Sequence, residues 1–375
     1  MENSFVYMPV IKGKKNDLVA VGKVFNDVRK LMKPFIEAMP VNPEKPLVED
    51  HIFRLCEYIR KHLPLGEIFV DFYGLMPDAK IPDGTNATIY GYKLLKAFGR
   101  PVTPAYGFER NDDLWNELGI IARDFNCGFC FRLSREDLAE YLFDDIWSQI
   151  IERTAQMKLL NNKIDLFLDL RHVDPEEIAV LEETIISFLF HNPNIGEYRS
   201  IVVAGSSALK TVGSIEKDKV GEVVRQELRL WSKLWREMPD NIKPIYGDYG
   251  VVHPDFSDQA RSPNVNAKIR YTAGDKIIYF RGHALHKPVK DYEQYHALAR
   301  RVCSDIRYVG RALSFGDKYI EDCAQEDIGP GSLEKWVVAD MNHHICYSTQ
   351  QLSRLTKELA QTSNDQEAAT ALAIV

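Results

Sequence analysis

The chain lacks the features that would settle a class at once. No apolar run approaches the roughly 18 residues that a bilayer-crossing helix needs, so membrane spanning is not expected. The first fifteen residues show neither an apolar stretch nor a small-residue cleavage pattern, and no secretory signal is expected. Six cysteines in 375 residues are too few for a disulfide framework and point to a reducing cytoplasm. Basic residues do not dominate: 47 Lys and Arg stand against 54 Asp and Glu, a net charge of −7. Bulk, non-specific binding of nucleic acid is therefore not indicated, although a local basic pocket is allowed. There is no G-x-S-x-G, no Walker loop, no H-E-x-x-H and no dinucleotide fingerprint, so the commonest hydrolase, nucleotide and zinc chemistries lack their usual marks.

What is present is ordinary globular material, 45% hydrophobic and 27% charged, long enough to bury a large core without staples. Eight short apolar runs recur, at 8–12, 33–37, 68–74, 102–107, 128–134, 164–171, 200–206 and 243–250. Each is followed by a helix-like stretch. Residues 17–32, 47–63 and 216–238 carry apolar residues at helical steps, the last through Val220, Val224, Leu228, Trp231, Trp235 and Met238. Ser134 with Asp137, and Asp174-Pro175-Glu176-Glu177, read as helix starts. Strict strand–helix alternation predicts a parallel sheet with helices outside it, and eight units predict a closed (β/α)8 barrel over 1–250. The rival, a doubly wound open sheet, needs a glycine-rich phosphate turn after its first strand, and Lys12-Gly13-Lys14-Lys15 does not supply one.

Beyond 250 an irregular stretch (251–266) precedes a hairpin, in which two β runs flank Ala273-Gly274-Asp275. A helix is expected over about 290–311, another from about 342, and a loose tail at the end. Residues 251–375 thus form an appendage packed on the barrel.

Functional groups of such barrels collect at the C-terminal ends of the strands. There the chain offers Lys12, Glu37, Asp71, Tyr73, Tyr106, Arg132, Asp169, Arg171, Ser206 and Asp248, with Arg281 from the hairpin. Alternation puts Asp71 on one face with Phe69 and Tyr73, and Asp169 on one face with Phe167 and Arg171. One reading is a pocket for a phosphate- or nucleotide-like anion, in which Lys12, Arg132, Arg171 and Arg281 hold the charge. Glu37, Asp71, Asp169 and Asp248 would then move protons or bind a divalent cation. The competing reading is an internal ion-pair network that closes the barrel top, because buried charges are seldom left unpaired.

Other signals are weaker. Cys127 and Cys130, three positions apart in a strand-like run, point to opposite faces and read as core residues. His343 and His344 point in different directions on a helix and lack a partner pair, so structural use outweighs metal ligation; if they serve a site, one caps the barrel mouth. Gly205-Ser206-Ser207 could cradle phosphate through backbone amides or be an ordinary turn. Trp231 and Trp235 share a helical face and read as core.

Several segments in order resemble the "beta family protein" group of phages and bacterial genomes. They are Pro9 to Lys14, Pro34 to Glu37, Val70-Asp71, Lys268 to Tyr271, Phe280 to Gly282, Phe315 to Ile320, Gly331 to Trp336 and Asn342 to His344. The resemblance implies a full-length member, no established reaction and a setting in phage–host conflict. It singles out Lys12, Glu37, Asp71, Arg270, Arg281, Asp317, His343 and His344. Two functions are expected from all this. One is a cytoplasmic barrel that binds an anionic small molecule or nucleotide, with phosphoester hydrolysis as the first candidate reaction. The other is a non-enzymatic binding or sensor protein whose appendage meets a protein or nucleic acid. A purely structural oligomer is the bland third.

Overall fold

The computed structural model describes residues 5–42, 47–255, 265–285 and 291–373, with side chains followed to residue 361. Eight parallel strands close into a barrel: β1 (Tyr7–Lys12), β2 (Phe35–Glu37), β3 (Phe69–Asp71), β4 (Thr103–Tyr106), β5 (Phe129–Ser134), β6 (Ile164–His172), β7 (Ser200–Ser206) and β9 (Ile245–Asp248). The seam is β1 on β9, with Tyr7 beside Tyr246 and Pro9 beside Asp248. All eight expected runs are strands, and the expected barrel forms.

The strands are buried on both faces, as parallel sheets are. Met8, Val10, Phe35, Phe69, Ala105, Cys130, Phe167, Val202 and Ile245 fill the interior. Phe35 and Phe167 stack across it with centroids 4.4 Å apart. Their neighbours Ile11, Ile36, Val70, Phe131, Leu166, Leu168 and Val203 face the surrounding helices. Those helices are α1 (Lys15–Gly22), α2 (Asn26–Arg29), α3 (Val48–His62), α4 (Ala87–Ala97), α5 (Trp115–Phe125), α6 (Phe143–Gln156), α7 (Ile178–His191) and α8 (Gln226–Glu237). The capping box at Asp174 and Glu177 is formed, and Trp231 and Trp235 are core residues.

Three expectations need correction. The helix expected over 17–32 is broken into α1 and α2. At the break, a Cβ on Gly22 would stand 2.2 Å from the His62 carbonyl oxygen, so the end of α3 presses on the chain there. The helix expected over 216–238 begins only at Gln226. Val220–Val224 is a strand, β8, paired antiparallel with the hairpin strand Lys276–Ala284 (β11), Val223 beside Ile277. Valines four apart satisfied a helical period, but three β-branched residues in five suit an edge strand, and β8 covers an edge that β11 would otherwise expose. The unit that follows residue 250 therefore takes one strand from within 1–250. The tail, expected to be loose, continues as helix.

The appendage is a sheet in the order β10–β11–β8, with β10 spanning Asn266–Ala273. It is joined by α9 (Gln294–Cys303), α10 (Phe315–Ala324) and α11 (Leu333–Ala373). The hairpin turn is the expected one. The helix expected over 290–311 is the shorter α9, and the one expected from 342 starts at 333. Residues 256–264 of the expected irregular stretch, and 286–290, lie outside the described residues. Ala267, Ile269, Tyr271, Ile278 and Phe280 pack with Tyr295, Leu298, Ile320 and Trp336 into a second core.

Helix α11 joins the two cores. Met341, Ile345 and Leu352 belong to the barrel cluster, while Trp336 and Ala339 belong to the appendage. Asn342 is buried between them. Its amide donates to the Ala20 carbonyl on α1 at 2.9 Å and its oxygen accepts from the Gly316 amide on α10 at 3.0 Å. Asn342→Ala strands the buried Gly316 amide, worth about 1–3 kcal/mol when unsatisfied, while the Ala20 carbonyl still accepts from the Lys23 amide at 3.3 Å. Urea denaturation of the variant is expected to show a loss in that range with the barrel's circular dichroism intact.

A charged barrel mouth and the basic cleft beside it

The inward residues of the last strand turns are charged. Lys12, Glu37 and Asp71 are adjacent in register on β1, β2 and β3, and alternation turns each inward above the apolar layers. Arg132 from β5 reaches the axis, only 3% exposed. Its Nη2 donates to Glu37 Oε2 and to Asp169 Oδ2, both at 2.5 Å, and its Nη1 to Asp71 Oδ2 at 2.8 Å. Lys12 donates to Glu37 Oε1 and to the Pro254 carbonyl. Burial alone would raise the Glu37 carboxyl, but Arg132, Lys12 and Arg171 outweigh it and hold it down at about 2.

Arg171 arrives by a local irregularity. The pairing of β6 with β7 slips between Asp169 and His172, and Arg171 adopts the left-handed φ of 56°. Such a bulge re-aims a side chain. Arg171 thereby donates to Tyr249 Oη at 3.1 Å, to the Pro254 carbonyl at 2.9 Å and to Asp255 at 3.0 Å. Two contributors escaped the sequence reading. Tyr249, buried, donates to Asp169 at 2.7 Å; carrying the alternation on from Ile245 and Gly247 would have found it. Arg110 makes a bidentate pair with Asp71, at 2.5 and 2.8 Å. It comes from a loop, where no periodicity marks it.

Other expected members go elsewhere. Tyr106 and Asp248 alternate with the inward Ala105 and Ile245 on their strands and face outward. Tyr106 packs edge-on against Trp115 and donates to the Asn111 carbonyl. Asp248 accepts from Tyr7 at 2.6 Å and Tyr246 at 2.9 Å and meets His344 Nε2 at 2.9 Å. The Thr272 hydroxyl lies 2.7 Å from His344 Nδ1. Burial lowers the His344 ring, which suits a neutral imidazole donating to Asp248 and accepting from Thr272. His343 meets Asp317 at 2.9 Å and the Thr272 carbonyl at 2.9 Å, so Asp317, His343 and His344 hold α11 in place and do not reach the mouth. The Ser206 hydroxyl donates to the Val252 carbonyl and accepts from the Ala208 amide. Arg281 is also absent from the mouth. It lies on β11 and donates to the carbonyls of Val212, Gly213 and Ile215, pinning the loop between β7 and β8. Among the described residues no group of three or more His, Cys, Asp or Glu could hold a metal ion; Glu37, Asp71 and Asp169 are all directed at Arg132.

The mouth is therefore close to neutral in itself, and the segment from Tyr249 to Asp255 folds over it. Beside it lies a cleft of about 600 Å³ between the barrel and the appendage. Among the described residues its walls carry Lys12, Lys14 and Lys15, Arg54 from α3, Lys210 from the pinned loop, and Lys268 and Arg270 from β10, against Asp17 and Glu334. Arg270 donates to Asp340 at 2.8 Å and to the Val251 carbonyl at 3.1 Å. Burial lowers both Lys12 and Lys268, and neighbouring cations lower them further; Lys268 is pushed down to about 8. Alternation on β10 gives the Lys268 signal in the sequence, but nothing there shows which surface it faces.

All six cysteines are unpaired. No helix among the described residues is long and apolar enough to cross a membrane. The family described as Beta protein matches residues 7–350. No curated protein matches the chain. Among solved structures, alanine racemase from Clostridium difficile 630, complexed with cycloserine, is 14% identical over 73% of this chain and 61% of the racemase, with a TM-score of 0.33. This chain thus spans less than two thirds of the racemase. Triosephosphate isomerase from Bartonella henselae is 11% identical over 64% of this chain and 91% of the isomerase, with a TM-score of 0.35.

The mouth makes a stability prediction. Arg132→Met leaves three buried carboxylates without their common cation, and removing one partner of such a pair costs about 3–5 kcal/mol; a large fall in Tm is expected. Glu37 is held below its ordinary 4.5, at about 2. Its contribution is complete above about 4.5 and is lost as pH falls toward 2. Stability measured across that window should fall less steeply with acid in Glu37→Gln than in the wild type.

Proposed function

The chain belongs to the Beta protein family, and we propose that it binds a phosphate-bearing small molecule of nucleotide size in the basic cleft. One observation carries the reading. Among the described residues seven lysines and arginines surround a cavity of about 600 Å³ that holds two acids, and burial, the largest cause, lowers both Lys12 and Lys268, with Arg270 beside Lys268 lowering it further. Bringing like charges together in a concavity is unfavourable until an anion joins them, and charge-assisted bonds to phosphate then offset the desolvation. The volume falls within the range of small-molecule sites. The start of α1 at Lys15 adds a favourable dipole beside the same cleft.

The carboxylates support a positioning role better than a catalytic one. Glu37 is held as a carboxylate and fixes the Lys12 ammonium. Asp71 and Asp169 fix Arg132. A binding or sensing protein is thus better supported than a phosphoester hydrolase, and a small concave site suits a small ligand better than a duplex or a protein surface. We place the activity in a reducing cytoplasm and in phage–host conflict, the latter on the family resemblance alone; plaque counts on cells making wild type or Lys210→Glu test it.

Calorimetry with inorganic phosphate and with a nucleoside and its triphosphate tests the binding directly. The triphosphate is expected to bind and the nucleoside not. Reversing the exposed Lys210 to Glu should weaken the triphosphate at least tenfold, about 1.4 kcal/mol, with Tm unchanged. Because an added anion raises Lys268 from about 8, binding at pH 8 should take up a fraction of a proton, read from the dependence of the heat on buffer. Equal affinity for nucleoside and triphosphate would refute the reading.

A further inference from the structure

We infer that Lys268 is a nucleophilic amine and that the cleft's ligand is a phosphorylated aldehyde or ketone, captured there as an imine. This rests on the phosphate-binding reading above and names the rest of the molecule.

The placement comes from β10. Ala267, Ile269 and Tyr271 turn into the appendage core, so Lys268 and Arg270 turn to the opposite face, where both line the cleft. Arg270 is committed. Its Nε donates to Asp340 Oδ2 at 2.8 Å, and the other oxygen of that carboxylate, wholly buried, has no hydrogen-bond partner. Asp340 therefore anchors Arg270, and burial pushes its carboxyl up to about 6. Among the described residues no ion pair engages the Lys268 ammonium, and Arg281, across the hairpin in register, adds a second cation near it.

An amine in such a place is held partly neutral. Burial first, then Arg270, brings Lys268 down to about 8 from 10.5 although the Asp340 carboxylate pulls it up, so about half of it carries a free lone pair at pH 8, against well under 1% of an ordinary surface lysine. Desolvation beside other cations is a known way of making lysine a nucleophile toward carbonyl carbon. Lys12 and Lys210 line the same cleft and are the cations left to hold a phosphate, leaving the carbonyl end for Lys268. The step balances without a redox partner. The Nζ lone pair forms the C–N bond, the carbonyl oxygen leaves as water with both amine hydrogens, and one proton taken from solvent leaves a protonated imine. The cleft would thus read two ends of one molecule: cations for the phosphate, and a neutral amine for the carbonyl.

The experiment treats the full chain with glycolaldehyde phosphate and sodium cyanoborohydride, which reduces an imine to a stable secondary amine, and locates the product by peptide mass spectrometry. Propionaldehyde is the probe without phosphate. Lys268 is expected to be labelled at least tenfold more than exposed lysines such as Lys335 by the phosphorylated probe, and excess inorganic phosphate should suppress that excess. Lys268→Arg, which keeps the charge, should lose the label while inorganic phosphate still binds. Labelling of Lys268 no greater than that of Lys335, or equal labelling by propionaldehyde, overturns the inference. If phosphate nevertheless binds in calorimetry, the binding reading survives; if it does not, both fall.

Discussion

The structure depends on a single cation at the axis of a barrel. Arg132 rises from β5 into a space where three carboxylates from three other strands converge. None of these charges could be buried alone, because desolvation of an isolated ion exceeds what any single contact returns. Together they fill the top of the barrel as apolar rings fill its middle. A polar plug of this kind makes strand register consequential. A one-residue slip of β2 or β3 would turn Glu37 or Asp71 outward among the helices and leave Arg132 unpaired. The plug therefore specifies the closed ring as well as covering it, and it leaves the mouth too nearly neutral and too well satisfied to bind a further ion strongly.

That neutrality shifts the chemical interest sideways. Lys12 belongs both to the plug and to the cleft wall, so the carboxylate that orients it, Glu37, connects the two. Of the remaining cleft cations, Lys14, Lys15 and Arg54 belong to the barrel's first loop and helices, while Lys210, Lys268 and Arg270 stand on elements that the appendage carries or holds. Arg281 secures the loop carrying Lys210, and Asp340 secures Arg270. Helix α11 holds the appendage itself, with Asn342 bonded to both sides and His344 locked between Asp248 of the barrel and Thr272 of the hairpin. Buried polar bonds with fixed geometry set this docking where apolar contact would set only proximity.

Much of this was legible in the chain, and the failures have a common cause. Eight apolar runs with helical intervals announced the barrel because strand and helix periods are local properties. Lys12, Glu37, Asp71, Arg132, Asp169 and Arg171 were placed together because strand parity and the polarity of a parallel barrel bring them to one end. Asp248 and Tyr106 were assigned by position at a strand end without regard to parity, and their strands turn them outward. The valines of 220–224 satisfied a helical period, and the competing pull, an unpaired hairpin edge, lay fifty residues away. Arg281 was assigned from its place on the hairpin, Asp317 from the family resemblance, and the two histidines from residue type and that resemblance. Neither residue type nor resemblance tells a buried joint from a site.

By itself, then, the sequence determined the element order, the barrel, the appendage hairpin and the ring of charges at one end, since each follows from periodicity and parity within a few dozen residues. Tertiary structure alone decided which charges cancel and which accumulate. Glu37 and Arg132 stand ninety-five positions apart, and Lys12 and Lys268 more than two hundred and fifty. Whether two such groups neutralise each other or crowd one cavity depends on distances that only the closed barrel and the docked helix create.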